Sequence, residues 1–96
     1  MKIVGVSQRT DNLVNRGEQR DALDQRMIDF IVISGGLPVP IPNRLIEQNR
    51  LGILLKTLNV GAFVLTGGND INSSPQRDLT ETYLLNYASE KRLPVL

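Results

Sequence analysis

The chain has 96 residues, enough for one small domain, and carries 11 basic against 10 acidic side chains for a net charge of +1. It contains neither cysteine nor histidine, which removes Cys/His and Ser-His-Asp catalysis, zinc fingers, disulfides and histidine pH switches from these residues. Two phenylalanines, two tyrosines and scattered arginines make no basic face with stacking platforms for nucleic acid.

Residues 2–6 read as a first buried strand on Ile3, Val4 and Val6. The opening Met1-Lys2-Ile3-Val4-Gly5-Val6 is too short for a signal-peptide core, and no run approaches a membrane span. A soluble, cytoplasmic protein with no membrane or nucleic-acid partner is therefore expected. Ser7-Gln8-Arg9-Thr10 leaves the carboxyl end of that strand, where open parallel sheets bind ligands, so Ser7 and Arg9 either reach one or belong to a solvated loop. No G-x-G-x-x-G follows, which rules out the dinucleotide fingerprint.

Residues 11–17 are polar and read as loop, and residues 18–34 as the first helix. Leu23, Met27, Phe30, Ile31 and Ser34 recur there at helical spacing, with Arg20, Asp21, Asp24, Gln25 and Arg26 on the outer face. Gly35-Gly36 supplies a left-handed cap. Residues 37–42, with three prolines, are extended and belong at the outside of a sheet. Asn43 caps a second helix over 44–58, carried by Leu51, Leu54, Leu55 and Leu58 and weakened by Gly52.

The apolar run 62–65 is too short for a helix and shows no alternation, as in a strand buried on both faces. Gly67-Gly68 ends it, either as a tight turn or as bare backbone N–H groups offered to a substrate. A polar loop follows over 69–77, and Asp78-Leu79-Thr80-Glu81 has the form of a capping box opening a helix to about residue 92. Leu84, Tyr87, Ala88 and Lys91 share one stripe of that helix, and Leu93-Pro94-Val95-Leu96 begins another strand. The alternation of strands and helices predicts an α/β fold, a doubly wound parallel sheet flanked by helices.

Five stretches carry a resemblance: Ile3-Val4-Gly5-Val6-Ser7-Gln8-Arg9; Ser34-Gly35-Gly36-Leu37-Pro38-Val39-Pro40-Ile41-Pro42; Leu65-Thr66-Gly67-Gly68-Asn69-Asp70; Arg77-Asp78 with Glu81; and Leu93-Pro94-Val95-Leu96. In this order they resemble the N-terminal half of a class I glutamine amidotransferase-like domain, in its γ-glutamyl-γ-aminobutyrate hydrolase-like branch. The resemblance implies a flavodoxin-like fold, here cut short. It also implies cleavage of a γ-glutamyl amide through a cysteine thioester. In that family a Gly-x-Cys-Arg-Gly elbow follows the last strand, with a histidine and an acid further on. These 96 residues hold none of the three and are expected to be inactive alone.

Carried onto this sequence, the resemblance makes the Gly68 N–H a donor to the oxyanion, with Gly67 allowing the turn. Asn69 and Asp70 border the same pocket. Ser7, Arg9 and Arg77 become candidates for leaving-group or substrate-carboxylate contacts, although Arg77 and Asp78 serve equally well as a surface pair and a helix cap. No cofactor or metal is expected. The run Arg20-Asp21-Ala22-Leu23-Asp24-Gln25-Arg26 resembles members associated with bacterial surface-polysaccharide synthesis, which makes a γ-glutamyl-linked nucleotide amine a second candidate substrate.

Two alternatives stand beside the enzyme: a catalytically inactive binding domain, and a half-domain completed by another chain. The expected partners are thus a small γ-glutamyl substrate and either the missing C-terminal half or a second copy. A P-loop is absent and no acids directly follow the first strand, so phosphate-binding and phospho-receiver roles fit poorly.

Overall fold

Strand β1 (Lys2–Val6) lies at the centre of a parallel sheet, between β4 (Gly36–Pro40) and β5 (Ala62–Val64). The computed structural model of the chain describes residues 1–67 and 74–96. Val4 pairs with Pro38 on one side and Ala62 on the other, and Val6 with Pro40 and Val64. The C-terminal segment extends the sheet past β5: Phe63 bridges Val95 in parallel, and the Leu96 N–H donates to the Phe63 carbonyl at 2.9 Å.

The prolines explain why β4 is outermost. The Ile41 N–H donates to Val6 O at 2.9 Å. Ladder alternation then turns positions 38 and 40, which have no N–H, away from β1. An outer edge without those donors resists further strand pairing.

Period-two alternation divides the sheet between two cores. Val4, Val6 and Val64 pack with Ile31 on the face covered by α1 (Gln25–Ile33). Phe63 faces the other way with Ile41, Leu51, Leu55, Leu84 and Ala88, under α2 (Leu51–Thr57) and α3 (Pro75–Lys91). Tyr87 meets Phe63 edge-on, with ring centroids 6.1 Å apart. Helices on both faces give the expected doubly wound α/β arrangement.

Several local expectations fail. The loop expected over 11–17 and the first third of the helix over 18–34 instead form an antiparallel hairpin. Its strands are β2 (Arg9–Leu13) and β3 (Glu18–Ala22), joined by a 3-10 turn over Val14–Arg16 and Gly17 at φ 62°. Glu18, Gln19, Arg20 and Asp21 offer no apolar face to seat a helix on the sheet, and all four are exposed. Helix α1 starts only after Asp24, whose carboxylate accepts the Arg26 N–H at 2.9 Å as an N-cap.

Asn43 does not cap a helix over 44–58. A 3-10 turn over Asn43–Ile46 comes first, Asn49 turns at φ 55°, and only α2 is regular. Gly52, expected to weaken the helix, has a packing role: a Cβ there would collide with the Tyr83 hydroxyl. Helix α3 starts three residues before the expected capping box, with Ser74 as N-cap and proline in its first turn. Gly35, at φ 94°, makes the left-handed turn into β4 as expected. Among the described residues, no helix is long and apolar enough to cross a membrane.

Candidate functional site

Beyond the carboxyl end of β5, a cavity of about 420 Å³ opens between the hairpin, the start of α1 and residues 65–67. Arg9, Asp24 and Met27 face Leu65, Thr66 and Gly67 across it. Open parallel sheets bind ligands at this end of their strands. Side-chain links hold the hairpin to the rest of the fold: Thr10 Oγ1 lies 2.6 Å from Ser74 Oγ, and the Asp21 carboxylate accepts from both the Asn43 N–H and Nδ2 at 3.0 Å. Asn43 is fully buried and its Nδ2 also donates to Gln8 O at 3.1 Å.

Arg9 lines the cavity half-exposed, with its guanidinium on Asp11 at 3.1 Å. At Asp24, which also lines the cavity, the Arg26 guanidinium grips the carboxylate at 2.7 Å. Hydrogen bonds from that guanidinium, and next from the Arg26 N–H, draw the Asp24 carboxyl down to about 2. Gly67 is exposed, its φ lies outside the left-handed region, and a Cβ there would meet no atom of the other described residues within 4 Å. Gly68, Asn69 and Asp70 lie outside the described residues.

Ser7 and Arg77 are buried, at 0% and 6% exposure, and neither lines the cavity. Both grip Thr66, on the cavity wall. Ser7 Oγ accepts the Thr66 N–H at 2.8 Å and donates to Glu81 Oε2 at 2.6 Å. Arg77 Nη2 donates to the Thr66 carbonyl and also to Glu81 Oε2, the latter at 3.1 Å. Thr66 Oγ1 returns a bond to Ser7 O at 2.8 Å. Glu81, expected in a capping box, thus joins the two side chains that hold Thr66.

Thr66 and Glu81 were absent from the expected site residues. A signal existed: 77, 81, 84 and 88 form one helical stripe, so Arg77 and Glu81 continue the buried face of Leu84 and Ala88. Among the described residues no group of three or more carboxylates could hold a metal ion.

The Peptidase C26 family model matches residues 2–96. The chain belongs to that family. It is 30% identical over 92 residues to the gamma-glutamyl-gamma-aminobutyrate hydrolase of Escherichia coli O157:H7. Against the hydrolase of the same name, PuuD, from E. coli K12 the identity is 29%, and against the one from Shigella flexneri 27%. Each alignment covers 83% of this chain and 36% of the relative, so the chain spans about a third of the length of the curated relatives it matches. The amidotransferase-like resemblance is thereby borne out. In this Peptidase C26 chain, the Leu65-Thr66-Gly67 part of that resemblance borders the carboxyl-end cavity.

Proposed function

We propose that these residues form the N-terminal part of one amidotransferase-like domain that hydrolyses γ-glutamyl amides through a cysteine thioester. The observation that carries this reading is the cavity at the carboxyl end of β5, with Gly67 on one wall and Arg9 on another. The family match and the hydrolase relatives support the reaction class.

In this reading the cysteine and its base come from residues beyond 96. Thiolate sulfur adds to the γ-carbonyl carbon and the π electrons move onto oxygen. The oxyanion meets the Gly68 N–H, aligned before the charge develops. Collapse breaks the C–N bond, the amine leaves with a proton from the base, and water then splits the thioester to glutamate and free thiol. Arg9 serves the substrate carboxylate, and Asn69 and Asp70 border the pocket. Ser7 and Arg77 act on it from beneath, a role supported by their burial against Thr66. The reading includes a cytoplasmic location, a compartment in which a cysteine nucleophile stays reduced.

That the domain continues past these residues is supported by the 36% coverage of the relatives. An apolar groove of about 390 Å³ beside α1, lined by Phe30, Ala62, Val64, Val95 and Leu96, is where the remainder would pack. Reading the coding sequence onward is the test: a Gly-x-Cys-Arg-Gly elbow is expected, and a stop codon would overturn the reading.

The chemistry is tested by Gly68→Val in the complete protein. Loss of one oxyanion donor should lower kcat roughly 10²–10³-fold. Near-normal turnover in a folded variant would sink the assignment. A γ-glutamyl-linked nucleotide amine is the second candidate substrate beside γ-glutamyl-γ-aminobutyrate; Ala22, Leu23 and Asp24 of the 20–26 run line the cavity. Hydrolysis of γ-glutamyl-γ-aminobutyrate but of no nucleotide amide would count against it.

A further inference from the structure

We propose that Glu81, which touches no substrate, is a positioning residue that sets the orientation of the backbone leading into the oxyanion-binding turn; the inference rests on the hydrolase reading above. Thr66 is the last residue before the diglycine, and both of its backbone polar groups are held by side chains. Its N–H goes to Ser7 Oγ at 2.8 Å and its carbonyl receives Arg77 Nη2. Those two side chains meet on a single oxygen, Glu81 Oε2, at 2.6 and 3.1 Å.

The carboxylate fixes what each partner can do. By accepting the Ser7 O–H, it turns that hydroxyl so that a lone pair faces the Thr66 N–H. By pairing with Arg77, it offsets the charge of a guanidinium only 6% exposed and holds it against the Thr66 carbonyl. That carbonyl lies in the same peptide plane as the Gly67 N–H, so its angle sets the direction in which the chain enters the glycines. A buried Arg–Glu pair adds little net stability. Arg77 Nε is also buried without a partner among the described residues. A pair with these costs, set under the wall of the cavity, points to a geometric role.

The test uses the complete protein with three variants: Ser7→Ala, Glu81→Ala and Glu81→Gln. The first two remove the hydroxyl or the shared acceptor, whereas glutamine retains an oxygen that both partners can reach. Hydrogen exchange at the Thr66 amide, the one that Ser7 Oγ accepts, reads the network without any activity. Acceleration of about tenfold or more is expected in the alanine variants, relative to the amides of β1 and β5, with protection recovered in Glu81→Gln. Unchanged exchange overturns the proposal. If Glu81→Ala does not fold, Glu81→Asp, whose carboxylate is drawn back from both partners by one methylene, takes its place, and unchanged exchange there overturns the proposal.

Kinetics then test the link to chemistry. Alignment of an oxyanion donor matters in the transition state, so kcat should fall roughly tenfold or more with KM nearly constant. Combined with Gly68→Val, Ser7→Ala should cost little more, because both changes act on one donor. Full additivity with Gly68→Val overturns the positioning role and leaves the oxyanion assignment standing. A Gly68→Val enzyme with normal kcat overturns the oxyanion assignment itself, and the exchange measurement still decides whether Glu81 holds Thr66.

Discussion

Two kinds of ion pair occupy this molecule, and they differ in burial far more than in distance. Arg20–Glu18 on the hairpin spans 2.6 Å with side chains 51% and 45% exposed. Arg77–Glu81 under the cavity wall spans 3.1 Å with side chains 7% and 19% exposed. Water and salt screen the first, so its short distance is worth little. The second has lost most of its hydration, so each partner depends on the other and on the Thr66 backbone. Position in the fold, rather than hydrogen-bond length, decides which of the two organises structure.

The largest expected effect lies at the buried pair. In the complete protein, Glu81→Ala should cost roughly 3–5 kcal/mol in urea unfolding, nearly independent of salt, because it leaves a buried guanidinium uncompensated. Replacing both partners, as Arg77→Met with Glu81→Leu, should recover much of that stability without restoring kcat. Recovery of both would reduce the pair to a packing element and erase its contrast with the surface pairs.

An intermediate effect is expected where the hairpin meets the sheet. Asp21→Ala strips the fully buried Asn43 of the acceptor for two N–H groups. A loss of about 1–3 kcal/mol follows from leaving such donors unpaired. Faster exchange throughout β2 and β3 should accompany it, whereas a loss below the resolution of the measurement would mean the hairpin is held by other contacts. Arg20→Ala on the same hairpin should cost less than about 1 kcal/mol and nothing in high salt. A larger, salt-resistant loss would break the comparison from the other side.

The smallest effect is a pH dependence at the start of α1. Asp24 sits at about 2 instead of 3.8, chiefly through the Arg26 guanidinium and next through the Arg26 N–H. A depressed folded-state pKa contributes stability above the unfolded value and loses it as the pH falls through the folded one. The α1 cap should therefore persist at neutral pH and weaken as the pH drops below 3.8 toward 2. A carboxyl NMR titration checks this, and an Asp24 midpoint near 3.8 would contradict it.

Strands β1, β4 and β5 and the second half of α3 were legible in the sequence because their signals are local. Apolar runs, alternating prolines and the Leu84–Ala88 spacing each state a burial preference within a few residues. The hairpin was not legible. Glu18-Gln19-Arg20-Asp21 is polar and exposed, with no alternation, and its place depends on Asn43 and Ser74, 22 and 64 positions from their hairpin partners Asp21 and Thr10. Leu23, four residues before Met27, also extended the apparent helical stripe backward, because it packs on the same core from the segment ahead of the Asp24 cap. At the site, Ser7, Arg9, Gly67 and Arg77 stood out as residue types at strand ends and in a motif. Their roles diverged on folding: Arg9 and Gly67 line the cavity, whereas Ser7 and Arg77 are buried behind Thr66.

By itself the sequence determined the α/β class, the parallel sheet with β4 outermost, and the family, because burial on two faces and the lack of proline N–H groups are written residue by residue. Only the tertiary structure decided that Glu81 joins Ser7 to Arg77 beneath Thr66. Ser7 and Glu81 are 74 positions apart. A hydrogen bond over that separation exists only once packing has brought the end of β1, the end of β5 and the first turns of α3 within reach of one carboxylate.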